Sequence, residues 1–328
     1  MVQTFIIGIA AGAATGLLFA SLASGSMFSI LLFDLAPLPI LIAAIGWSHV
    51  AGLIAALSAA AALAVVFGGM FFTAFLVGVG LPAWWLGYLS LLARAPAGAQ
   101  AEGASAPLEW YPPGRLVLWA AALGTAVVTV GILKFGFDPD GFRAALARAF
   151  ERMLRIQMRI PDDAPLDIPG ISDPKQLINV VVAAIPPAAA VLATITSLVN
   201  LWLAGRIVKV SGRLKRPWPD LGAIIFPPAV AAVLAGAIGA SLLPGLPGFI
   251  AGMLGATLLT AYGILGFAVL HKITGGMSGR GIVLFGVYAA VGVLGWPVLV
   301  MMLLGLADTI IDVRGRVAAR RGLPPPAT

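Results

Sequence analysis

Long apolar runs cut by very short polar connections set the elements of this chain. From Met1 to Ala93 a single charged residue, Asp34, interrupts the apolar pattern, and neither Lys nor Arg occurs. That length holds about four spans of about 20 residues each. They are expected near 4–22, 27–46, 50–67 and 70–92, divided at Ser24-Gly25-Ser26, Trp47-Ser48-His49 and Gly68-Gly69. A fifth run covers 116–133. Later, Leu177–Gly205 is broken at Pro186-Pro187, a span near 221–243 contains Pro227-Pro228, and another ends at Leu270. Gly281–Val313 exceeds one span at ~1.5 Å per residue unless strongly tilted. Gly295-Trp296-Pro297 offers the turn that splits it in two.

The pattern describes an all-α, polytopic helical membrane protein with about ten transmembrane helices, several of them broken by Pro. Composition agrees: 60% of the 328 residues are hydrophobic and 10% charged, against about 25% charged in soluble domains. Continuous apolar runs exclude a β-barrel, whose strands alternate. The absence of cysteine removes disulfides, thiol catalysis and Cys-based metal sites. Thr4–Leu22 follows Met-Val-Gln, without the basic start of a signal peptide, and is read as a retained helix.

Charge supplies orientation. Arg206, Lys209, Arg213, Lys215 and Arg216 fall between two apolar runs, ahead of Pro217-Trp218-Pro219, and such a short basic loop marks the cytoplasmic side. The net charge of +7 therefore reflects membrane orientation and not nucleic-acid binding. Counting outward places both termini and the basic loops at 94–115, 271–280 and 314–328 inside, in a bacterial inner membrane. The chain then divides into an N-terminal membrane region of about five helices (1–136), a polar insertion (137–176), a second region of about five helices (177–313) and a basic cytoplasmic tail (314–328). The insertion resists the rule. It falls outside although its helix, expected over Gly141–Ile160 behind an Asp140 cap, carries five Arg. A re-entrant Leu177–Gly205 would bring it inside.

On that helix Phe142, Leu146, Phe150 and Met153 line one face, and Arg148, Arg152, Arg155 and Arg159 another. This is the pattern of a helix lying on a membrane surface. Asp162, Asp163, Asp167 and Asp173 follow it among Pro and Gly, while Ala95 to Pro107 reads as a flexible Ala/Gly/Ser-rich loop.

Five polar residues form a candidate intramembrane site: Asp34, Asn179, Asn200, His49 and His271. Asp34 precedes Pro37 and Pro39, so Ala36 and Leu38 are expected to leave the α conformation. A broken helix beside a carboxylate is a transporter device, and a locally hydrogen-bonded kink is the alternative. The two histidines could meet as a proton relay with Asp34 or stand singly at the interface. On the first helix Gly8, Gly12 and Gly16, with Ala10 and Ala14, form a candidate packing face for a neighbouring helix or a partner subunit.

No GxxxxGK[ST] loop, HExxH pair or Cys/His cluster occurs, so no catalytic residue, metal site or cofactor is expected. The segments LPAWWLGYLSLLAR (81–94), EWYPPGRLVLW (109–119), SGRLKRPWPDL (211–221) and HKITGGMSGR (271–280) resemble the alphaproteobacterial branch of the YybS-like predicted membrane proteins, a domain of unknown function. That resemblance implies no established activity. A looser similarity runs to the S components of energy-coupling-factor transporters, which bind vitamins or metals and borrow an external ATPase module. The expected function is a small-molecule permease or substrate-binding transport subunit, not an enzyme. Its partners are the lipid bilayer and a membrane protein or external ATPase module. The alternative is a membrane scaffold or regulator of envelope assembly, docking through the basic loop.

Overall fold

The computed structural model describes residues 1–95, 108–134, 139–161, 164–166 and 170–322. The Ala/Gly/Ser-rich stretch 96–107 and the acidic positions Asp162, Asp163 and Asp167 lie outside the described residues, as do 323–328.

Regular structure is almost entirely helical, as the apolar periodicity requires. Helices α1 (Val2–Ala20), α2 (Met27–Asp34), α3 (Pro37–Gly46) and α4 (His49–Phe67) come first. They are followed by α5 (Gly69–Phe75), a π turn over Leu76–Gly80, and α6 (Leu81–Ser90). An antiparallel pair, Ala93–Arg94 with Glu109–Trp110, leads into α7 (Pro113–Leu133). Then come α8 (Pro139–Met158), α9 (Pro174–Val210), α10 (Ala229–Ala240), α11 (Gly245–Ile273), α12 (Arg280–Leu294), α13 (Val298–Ile311) and α14 (Val313–Arg320).

Among the described residues seven helical segments are long and apolar enough to cross a bilayer: Val2–Ser24, Met27–Gly46, His49–Phe67, Gly69–Ser90, Pro113–Leu133, Pro174–Val210 and Gly245–Ile273. The remaining expected spans appear as shorter apolar helices of 12, 15 and 14 residues, α10, α12 and α13. At ~1.5 Å per residue each falls short of a ~30 Å hydrocarbon core. The run expected near 221–243 shrinks because Pro227-Pro228 cannot donate to a helix, so Ile224 to Phe226 run non-helically and bury Ile224 and Phe226 in the core. The split at Gly295-Trp296-Pro297 holds, with Gly295 at φ +73° ending α12.

Two packed halves meet along α9. In one, α3, α4 and α6 enclose Ile40, Leu41, Ala55, Ala59, Phe75 and Leu86. In the other, α7 and α11 enclose Val117, Ala121, Leu258, Tyr262 and Leu265. α13 lies against α11 where glycines face backbone: a side chain on Gly266 would run into the Met301 carbonyl, and one on Gly305 into that of Tyr262.

Three expectations are corrected. Ala36 keeps right-handed helical angles (φ −56°, ψ −33°), and Leu38 lies inside α3. The helix is interrupted beside Asp34, but over Leu35-Ala36, between the end of α2 at Asp34 and the start of α3 at Pro37; Pro37 and Pro39 then sit in the first turn of α3, where an N–H has no helical acceptor to lose. α9 runs unbroken for 37 residues through Pro186-Pro187, about 55 Å, and is no re-entrant hairpin. Finally, α8 turns part of its apolar face to the protein itself. It packs on α9 and α11, with Phe142 against Phe249 and Arg143 5.1 Å from the same ring. Phe142, Leu146 and Phe150 are half-buried there, whereas Met153 turns outward, 50% exposed.

Phe249 lies at the start of α11, and His271 and Lys272 at its end. The insertion and the basic loop therefore occupy opposite ends of the bundle.

Candidate functional site

The basic loop begins where α9 stops. Gly212 adopts φ +70°, and the N–H groups of Gly212 and Arg213 return to the carbonyls of Lys209 and Val208, 3.0 Å each. This closure satisfies the last carbonyls of the helix and needs a left-handed residue, which Gly supplies without strain.

Each of the five basic side chains then meets the protein itself. Arg206 lies 5.5 Å from the Trp218 ring and 5.9 Å from Trp202, Lys209 5.1 Å from Trp218, and Arg213 4.6 Å from Trp47. Lys215 donates to the Trp47 carbonyl at 3.0 Å. Arg216 donates to the carbonyls of Ser90 (3.0 Å) and Tyr111 (3.3 Å), while its buried Nε has no partner among the described residues. Burial pulls the Arg216 guanidinium below its ordinary value. The loop is thus folded down over the ends of α3, α6 and α7, held by cation–π contacts and carbonyl acceptors.

Other connections join it at the same end. Lys272 pairs with Asp220 at 3.6 Å, Arg314 donates to the Gly222 carbonyl at 2.9 Å, and Arg321 to the Gly275 carbonyl at 3.1 Å. Beneath this cap, between α7, α9, α11 and α12, lies a cavity of about 910 Å³. Its walls are apolar, from Leu198, Leu201 and Trp202 of α9, Val117 of α7, and Ile264 and Phe267 of α11. Its rim carries Arg216, Asp220, His271, Lys272, Arg280 and Tyr288. Volume and lining are those of a small-molecule site: apolar body, few convergent polar groups.

His271 belongs to this rim. Its Nδ1 is 3.4 Å from Arg280 Nη2 and its Nε2 2.9 Å from the Tyr288 hydroxyl. Arg can only donate, so Nδ1 accepts and Nε2–H donates to Tyr288. Tyr288 also stacks on Phe267 at 5.1 Å, which fastens α12, a helix with no buried residue, to α11. His49 is elsewhere, its ring 5.3 Å from Tyr88 and its carbonyl accepting from Trp84 at 3.1 Å. The two histidines do not form a relay.

Of the candidate polar site, Asp34 and Asn200 do meet. Asn200, 1% exposed, donates to the Asp34 carbonyl at 2.7 Å and to the Thr196 carbonyl at 2.8 Å, leaving its buried Oδ1 unpartnered among the described residues. Neither Asp34 nor Asn200 lines the cavity, to which α9 contributes Leu198, Leu201, Trp202 and Gly205. Asn179 is exposed, about 31 Å from Asn200 along α9. Gly8 and Gly12 face α4, where a side chain on Gly12 would come within 2.7 Å of the Ala55 carbonyl. Gly16 meets nothing within 4 Å, and Ala10 and Ala14 are exposed on the other side of α1. The five small residues are not one face.

Sequence reasoning missed Asp220 and Asp308. Asp220 sits in the basic loop as a cap, accepting from the Gly222 N–H at 2.9 Å. Asp308 was legible by the argument applied to Asp34, a lone acid inside an apolar run. Compared with family models, curated proteins and solved structures, the chain matches none of them.

Proposed function

We propose that the chain is a multi-pass inner-membrane protein that binds a small molecule, as a permease or as the substrate-binding subunit of a transport system served by an external ATPase module. The observation that carries the reading is the 910 Å³ cavity, apolar within and charged at its rim. It moves the proposed site from Asp34 to the space under the basic loop. About ten spans with both termini cytoplasmic belong to the same proposal, as does the resemblance to YybS-like proteins. The contacts that gather Trp47, Ser90, Tyr111, Gly222, Gly275 and the basic loop at one end support that topology.

The test is ligand retention by the full chain purified in mild detergent, read by native mass spectrometry. A bound small molecule is expected, released by Ala268→Trp, which puts an indole into the cavity from α11. Ala268→Ser, which leaves the space open, is expected to retain it. Equal retention by the Trp variant places the ligand elsewhere and overturns this site.

A further inference from the structure

We propose that the ligand of this cavity is a lipid amphiphile with a phosphate monoester head, its tail between α9 and α11 and its head under the basic loop. The inference rests on the cavity being the binding site and names what it binds.

The tail follows from the walls. Leu198, Leu201, Val117, Ile264 and Phe267 offer no hydrogen bond, so a polar solute filling this space would lose its water without replacement. Trp202 and Tyr288 both line the cavity and are each 47% exposed. Trp202 belongs to a membrane-length helix and Tyr288 to an apolar one, so a chain entering beside them would come from the lipid side.

The head follows from the charge balance of the rim. Arg216, Lys272 and Arg280 stand against one carboxylate, Asp220, which leaves two formal positive charges with His271 neutral. A phosphate monoester carries about −1.5 to −2 at neutral pH, and it brings acceptors for guanidinium and ammonium donors. A carboxylate balances half of that charge, and a neutral alcohol none. Donors can turn toward it: among the described residues Lys272 is held only by Asp220 at 3.6 Å, longer than a hydrogen bond, and Arg280 leans on His271 at 3.4 Å. Both side chains are at the surface of the rim, so their replacement leaves the packed bundle intact.

The experiment uses the full chain in neutral detergent and reads quenching of tryptophan fluorescence, to which Trp202 and Trp218 at the cavity contribute. The probes are chain-brominated hexadecyl phosphate, hexadecanol and hexadecanoate, with inorganic phosphate as competitor. Hexadecyl phosphate is expected to bind at least about tenfold more tightly than hexadecanol. Lys272→Gln with Arg280→Gln should reduce that ratio to about twofold while leaving hexadecanol unchanged. Inorganic phosphate displacing it at equal concentration overturns the tail assignment, and hexadecanoate binding as well as the phosphate overturns the head assignment. So does equal affinity for phosphate and alcohol. In that last case quenching abolished by Ala268→Trp keeps the cavity as a site, whereas no saturable quenching by any probe removes both readings together.

Discussion

Asp308 and Arg314 form an ion pair sealed from solvent: Oδ2 lies 2.7 Å from Nη2, and the side chains are 4% and 8% exposed. The pair joins the last turn of α13 to the first of α14 across Asp312, a non-glycine residue at φ +48°. The other Asp308 oxygen accepts from the Arg314 backbone N–H at 3.0 Å. The remaining guanidinium nitrogen donates to Gly222, which lines the cavity. The pair therefore ties the C-terminal helices to the wall of the proposed site.

Removing one partner strands the other charge in a dry environment. Asp308→Ala is expected to destabilise the protein by about 3–5 kcal/mol, lowering the midpoint of thermal unfolding in detergent. The double variant Asp308→Leu/Arg314→Met, which buries no charge, should recover most of that loss. A single variant as stable as the parent would mean that the pair is open to water.

What was legible in the sequence, and what was not, divides by physical cause. Most apolar runs marked helical segments, since lipid and helix–helix burial both demand them, while the run near 221–243 began eight residues early because Pro227-Pro228 hold the chain out of the helix. Gly295-Trp296-Pro297 announced its turn because left-handed Gly and Pro leave no alternative. The prolines elsewhere misled. Pro37 and Pro39 fell at a helix start, where they cost little, and Pro186-Pro187 are carried inside α9 by the packing of α7 and α11 around it. No periodicity reveals such tertiary support. The site was half visible: the basic loop and its neighbouring Trp218 were plain, but that Arg213 and Arg216 would fold back onto Trp47 and Trp110 depended on residues far away in the chain.

Gly12 and Gly16 separate packing from composition on one helix. Gly12→Ala forces a methyl against the Ala55 carbonyl and the Ser58 hydroxyl, and is expected to cost about 1–3 kcal/mol. Gly16→Ala meets nothing within 4 Å and should stay within about 0.5 kcal/mol of the parent. Unfolding midpoints in one detergent compare them directly. Equal losses would mean that α1 does not pack on α4 through Gly12.

Asn200 tests whether the Asp34 contact is structural. Asn200→Leu leaves the Asp34 carbonyl without that donor but also removes an unpartnered buried oxygen, so the two effects oppose and a loss of about 1–3 kcal/mol is the upper bound. Because Asp34 is not among the residues that line the cavity, Asp34→Asn should leave binding of an alkyl phosphate within about twofold of the parent. A tenfold loss would return the site to Asp34.

On the sidedness of the insertion two rules conflict. Five arginines on the insertion favour the cytoplasm, yet α9 leaves the insertion at one end and delivers the chain to the basic loop at the other without a break. A continuous helix is the stronger constraint, since a hairpin at Pro186-Pro187 would expose unpaired backbone to hydrocarbon. The arginines are also partly committed: Arg143 pairs with Asp140 at 3.2 Å, and Arg155 with Glu151 at 2.9 Å and with the carbonyls of Pro161 and Ala164. The chain has no cysteine, so single replacements report cleanly. In intact spheroplasts an impermeant maleimide should label Arg148→Cys and spare Ser211→Cys, and after lysis it should label both. Labelling of both or neither before lysis would mean that α9 does not carry the chain across.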